Sequence, residues 1–106
     1  MCGRYVITRS AGDLGGIFEV RNNGLDLEFA PGYNVAPTRE VPVVWQDWDE
    51  RRLGLARWGL IPTWAKDIRV GVRAFNARIE TAAEKPTFRG AFVKRRCVLP
   101  ADDYYE

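Results

Sequence analysis

Apolar and polar positions alternate along Gly3–Thr8, the two-residue period of a half-buried strand. Leu14, Ile17 and Phe18 then recur at helical spacing after Ser10, a good N-cap. This predicts a short helix to about Val20, weakened by Gly15 and Gly16. Residues 21–32 carry no period, and their Asn22-Asn23-Gly24 turn signal marks a loop. Tyr33–Pro37 reads as extended, because Pro37 pushes the residue before it out of the α region. Val41–Gln46 and Arg51–Arg57 form an apolar-rich pair about a turn at 47–50, with Leu53 and Leu55 on one face, and predict a hairpin. Trp58–Ile61 extends this as a strand until Pro62, and Trp64–Arg69 is a loop. A helical patch is expected around Glu80–Glu84 and a second short helix over Phe88–Lys94. Arg96–Leu99 is expected as a buried strand, and Tyr104–Glu106 begins another.

At 106 residues the chain fits one small domain or part of a larger one, and its 46% hydrophobic content supports a core. Its N-terminus lacks the apolar stretch of a signal peptide, and no run is long enough to span a bilayer, so an intracellular, non-membrane protein is expected. The chain has two cysteines and no histidine, which argues against a disulfide or a zinc site. Missing histidine also removes Ser–His–Asp and Cys–His mechanisms. No metal and no cofactor is expected. The last residues, Tyr104-Tyr105-Glu106, stop in an aromatic run without a polar tail, which suggests a chain cut within a sheet.

Charge is uneven. Residues 1–50 hold four arginines and eight acids, net −4; residues 51–106 hold twelve basic residues and six acids, net +6. A basic half with interleaved tryptophans suits single-stranded nucleic acid, although an ordinary solvated surface has the same composition.

Cys2 directly follows the initiator methionine. Removal of Met1 would leave an α-amine and a thiol on neighbouring carbons. Their reference pKa values, about 7.7–8.0 and about 8.5, leave both partly deprotonated near neutrality. Such a 1,2-aminothiol attacks an aldehyde twice, through an imine and then a five-membered thiazolidine. Position alone would equally suit an incidental cysteine.

Five segments fall in one order: Met1-Cys2-Gly3-Arg4-Tyr5, Tyr33-Asn34-Val35-Ala36-Pro37, Trp58-Gly59-Leu60-Ile61-Pro62, Asn76-Ala77-Arg78-Ile79-Glu80-Thr81 and Tyr104-Tyr105-Glu106. Together they resemble the SRAP family, the SOS-response-associated peptidases, over essentially the whole chain. The resemblance implies an α+β fold, mixed but mainly antiparallel, with a curved, barrel-like sheet and short flanking helices. Residues 1–106 would be the N-terminal part of that single domain, with the remainder absent. It further implies a cytoplasmic, nucleoid-associated monomer that binds single-stranded DNA at abasic sites in the damage response. A covalent thiazolidine crosslink would form through Cys2, with lyase-type and self-processing peptidase activity.

By the same resemblance the catalytic set is Cys2, Asn76 and Glu106, and the DNA-binding set is Gly3, Arg4, Trp64 and Arg78. The residue chemistry suits these roles. Arg4 is placed to supply positive charge or hold a phosphate, and Arg78 to bind a phosphate. Asn76 offers a donor and an acceptor, and a carboxyl such as Glu106 beside aromatic rings can shuttle protons. Trp64 lies in a loop where its ring can stack on a base, and Trp64-Ala65 supplies one ring where relatives can carry two. Plainer readings stay open: a strand-surface Arg4, a helix-capping Asn76, and an Arg78 paired with Glu80 or Glu84. Trp58 and Cys97 are expected in the core, Trp45 and Trp48 as packing or rim residues, and Gly59 at a tight backbone approach. The family's later histidine motif has no counterpart in this chain. Two other functions fit: a non-catalytic single-stranded DNA-binding module, and a thiol peptidase acting mainly on its own N-terminus.

Overall fold

The computed structural model describes residues 2–105. Its elements are strand β1 (Arg4–Ile7), helix α1 (Ala11–Phe18), strands β2 (Gly32–Val35), β3 (Glu40–Asp47) and β4 (Glu50–Arg57), a 3₁₀ turn (Ile68–Val72), helix α2 (Arg89–Lys94) and strand β5 (Asp103–Tyr105). β1 lies between β2 and β5 in one antiparallel sheet, and β3 pairs with β4 in a second. The expected antiparallel α+β architecture is therefore present, and among the described residues the two sheets do not close into a barrel.

Local chemistry accounts for the elements. Ser10 caps α1 through a reciprocal box. Its hydroxyl accepts from the Asp13 amide at 3.1 Å, and the Asp13 carboxylate accepts from the Ser10 amide at 3.2 Å. Gly15 weakens helix propensity but serves packing, since any Cβ there would collide with the Leu25 side chain. The β3–β4 hairpin runs in unbroken register from Glu40 opposite Arg57 to Asp47 opposite Glu50. Trp48 enters the two-residue turn with φ 57°, as a primed turn requires, and its side chain is 95% exposed.

One core joins the two sheets. Tyr5, Ile7, Leu14, Val35, Val41, Val43, Val44, Leu53 and Trp58 are all buried within it. Both faces of β3 are covered around Val41–Val44, which is why that strand is continuously apolar rather than alternating. Leu53 is buried, but Leu55 on the same face is exposed.

Two expected strands are absent. Trp58 still pairs with the preceding loop, its amide bonding the Arg39 carbonyl and its carbonyl the Thr38 amide. Gly59 then takes φ 131°, which turns the chain out of extended geometry, and its missing side chain admits the Gly71 carbonyl. Arg96–Leu99 makes only an isolated bridge, Val98 with Val44, and lies exposed. Cys97 is accordingly exposed rather than in the core, because three consecutive basic residues, Lys94–Arg96, keep this segment at the surface. Glu80–Glu84 forms turns rather than a helix.

Candidate functional site

Trp58 is the anchor from which the site is built. Its ring meets Tyr5 edge-on at 5.3 Å between centroids and Phe75 at 6.1 Å. Its indole N–H donates to the Phe75 carbonyl at 2.9 Å. That bond ties a loop to the core and fixes the next residue, Asn76. The Asn76 Nδ2 donates in turn to the carbonyl oxygen of Cys2 at 2.6 Å. Cys2 is half-buried and packs against the core, and its thiol donates to the Arg4 carbonyl at 3.4 Å. Two of the expected catalytic residues are thus in direct contact. Glu106, the third, and Met1 lie outside the described residues.

The expected DNA-binding residues are spread more widely. Gly3 is at a bend, and a Cβ there would meet nothing within 4 Å, so its backbone is open to approach. The exposed Arg4 guanidinium donates to Asn34 Oδ1 of β2 at 3.4 Å. Its link to Cys2 runs through its own backbone rather than through its charge. Arg78 is exposed and, among the described residues, makes no salt bridge to Glu80 or Glu84. Its carbonyl accepts from the amides of Thr81 and Ala82. Trp64 is 59% exposed and is held by an indole bond to the Pro86 carbonyl at 3.2 Å.

Two features of the site carry no local signal in the sequence. The first is a latch at Asp102. Its carboxylate accepts from the Thr8 amide at 2.7 Å, the Thr8 hydroxyl at 2.8 Å and Arg9 Nε at 3.0 Å, while its own amide donates to the Val6 carbonyl. This pins β5 to β1 in the register Arg4–Tyr105 and Tyr5–Tyr104. No local pattern could reveal it, because the partners lie 93 and 94 residues apart. The second is Tyr5, whose hydroxyl is buried without a partner among the described residues. Burial, and secondarily the charge of the Cys2 thiolate, push its pKa up to about 12. Among the described residues no group of His, Cys, Asp and Glu could hold a metal ion. No described helix is long and apolar enough to cross a membrane.

Across all 106 residues the chain matches the SOS response associated peptidase (SRAP) family. It belongs to that family. It is 43% identical to the abasic site processing protein YoaM of Bacillus subtilis over 106 residues, all of this chain and 47% of YoaM. It is 30% identical over 129 residues to the abasic site processing protein HMCES of Xenopus tropicalis, covering 38% of that protein. The SRAP chain thus spans about half or less of the length of these relatives. Its fold also matches a crystal structure of a protein from Bordetella bronchiseptica at TM-score 0.76 and 26% identity, over 99% of this chain and 50% of that one.

Proposed function

We propose that this SRAP protein captures abasic sites in single-stranded DNA through Cys2, after hydrolysis of the Met1–Cys2 bond. The Cys2 α-amine adds to the ring-opened sugar aldehyde and loses water to give an imine. The thiolate then adds to the imine carbon, forming the C–S bond while the nitrogen takes a proton. The sum is aldehyde plus aminothiol to thiazolidine plus one water, with no change of oxidation state.

The observation that carries this reading is the Asn76–Cys2 contact. Holding the Cys2 carbonyl restrains the residue whose amine must meet the aldehyde, which is catalysis by positioning. Among the described residues Asn76 Oδ1 takes no protein donor, leaving an acceptor beside the reacting centre for the amine or a sugar hydroxyl. Glu106 would carry the proton transfers of carbinolamine breakdown. Arg4, Arg78 and the Gly3 backbone would hold phosphates, and Trp64 would stack on a base. Lyase-type strand processing and self-removal of Met1 belong to the same reading, as does action as a monomer.

The test is a denaturing gel after incubation with single-stranded DNA carrying an abasic site. A shifted band that survives denaturation, and is lost with Cys2→Ala, is expected. Cys2→Ser keeps the amine, so it should give only an imine that needs reduction to persist. An unshifted wild-type protein, or a stable band unaffected by Cys2→Ala, would leave a non-catalytic DNA-binding module as the better account.

A further inference from the structure

A small pocket opens beside Trp64, lined also by Pro62, Pro86, Thr87, Arg89 and Arg95. Its volume, about 110 Å³, is well below the roughly 300–1,000 Å³ of sites that enclose a whole small molecule. It suits a single compact group. The surrounding segment, residues 85–96, holds five basic residues and no acid. Arg96 is committed elsewhere: its Nε donates to the Phe92 carbonyl at 2.6 Å and its guanidinium lies 3.9 Å above the Phe92 ring. Arg89 and Arg95 are exposed, and among the described residues neither makes a salt bridge.

We propose that Arg89 and Arg95, with the Thr87 hydroxyl, form a phosphate-binding pocket that takes the backbone phosphate of the nucleotide stacked on Trp64. The two guanidinium forks are donor-only and the Thr87 hydroxyl can turn its own O–H inward, which matches the acceptor-only oxygens of a phosphodiester. The bond from Trp64 to Pro86 fixes the ring beside the pocket and occupies its N–H. Trp64 therefore contributes a π-face rather than a polar contact, and reading of the strand there is independent of base identity. The proposal deepens the single-stranded DNA reading above and rests on it.

Two measurements separate the failure of either. The first is the salt dependence of binding to an abasic-free oligonucleotide. For single strands log K falls with log salt by about 0.7 per neutralised phosphate contact. The Arg89→Gln and Arg95→Gln variants should each lower the magnitude of that slope, by losses that together amount to about 0.7 for the single phosphate. Arg21→Gln removes the same charge from a cleft shared with Glu19 and Glu50 and should leave the slope unchanged. Melting temperatures matching wild type confirm that the exposed substitutions leave the fold intact. The second is adduct formation at saturating abasic DNA, which should proceed in wild type and in Arg21→Gln alike. Slopes equal to wild type for Arg89→Gln and Arg95→Gln, or an equal loss in Arg21→Gln, would overturn the pocket. Absence of an adduct with wild type while the slopes still fall would overturn abasic-site capture instead.

Discussion

Asn76 Nδ2 donates to the carbonyl oxygen of Cys2 at 2.6 Å, across 74 residues of chain. The bond joins Cys2, the proposed nucleophile, to a loop that Trp58 holds against the core. Asn76→Asp replaces the donor with a carboxylate facing a carbonyl oxygen, turning attraction into repulsion. Single-turnover capture at saturating abasic DNA should slow by about 10–100-fold, about 1.4–2.7 kcal/mol of barrier. Binding to intact single strands should hold near wild type. A parallel loss of both would mean that Asn76 only supports the fold.

Asp102 makes the latch between β5 and β1 sensitive to acid. The Thr8 amide, then the Thr8 hydroxyl and Arg9, hold its carboxyl below the reference value of 3.8. A depressed folded pKa gives stabilisation that is complete above the unfolded value and lost as pH falls through the folded one. Arg69 depresses Asp67 in the same way, so the acid limb has at least two contributors. In thermal melts below pH 4, Asp102→Ala should lose less stability on acidification than wild type, while being less stable at pH 7. Equal pH dependence of the two would show that the latch carries no folding energy.

Tyr5 makes the opposite prediction at alkaline pH. Its pKa rises from 10.0 to about 12 on folding, so the folded state holds its proton more tightly than the unfolded chain. Stability should therefore decline as pH rises from 10 toward 12, and Tyr5→Phe should remove that part of the decline. At neutral pH the same substitution should be neutral or stabilising, because it deletes a buried hydroxyl without a partner among the described residues. Urea melts at pH 7 and pH 11 check both statements.

Gly59 is where the predicted strand fails, and its replacement should be costly. Alanine would have to adopt φ 131° and place its Cβ against the Gly71 carbonyl. Gly59→Ala should destabilise by about 1–3 kcal/mol, read as a fall in melting temperature. A melting temperature equal to wild type would mean that the backbone relaxes freely there.

Legibility in the sequence followed the range of the interactions. Ser10 announces α1 because capping is local, and the apolar spacing of residues 41–57 announces the hairpin because pairing across a tight turn is nearly local. The failures are tertiary. Trp58–Ile61 has strand composition, but the approach of the Gly71 backbone bends it. Arg96–Leu99 is apolar at Cys97–Leu99, yet flanking cations keep it at the surface with one bridge to β3. In the site, ordered motifs named Cys2 and Asn76, and the structure brings them together. They did not name Asp102, because its partners Thr8 and Arg9 are far away in sequence and carry no motif.

In the proposed adduct Cys2, freed of Met1, holds the sugar through both nitrogen and sulfur. The most direct test is mass spectrometry of the N-terminal peptide after proteolysis and nuclease digestion of the abasic DNA adduct. The expected product is a peptide beginning at Cys2 whose mass equals peptide plus sugar remnant minus one water, formed without reductant, with fragmentation placing the remnant on Cys2. A remnant on a lysine, or an adduct whose peptide still begins at Met1, would contradict it.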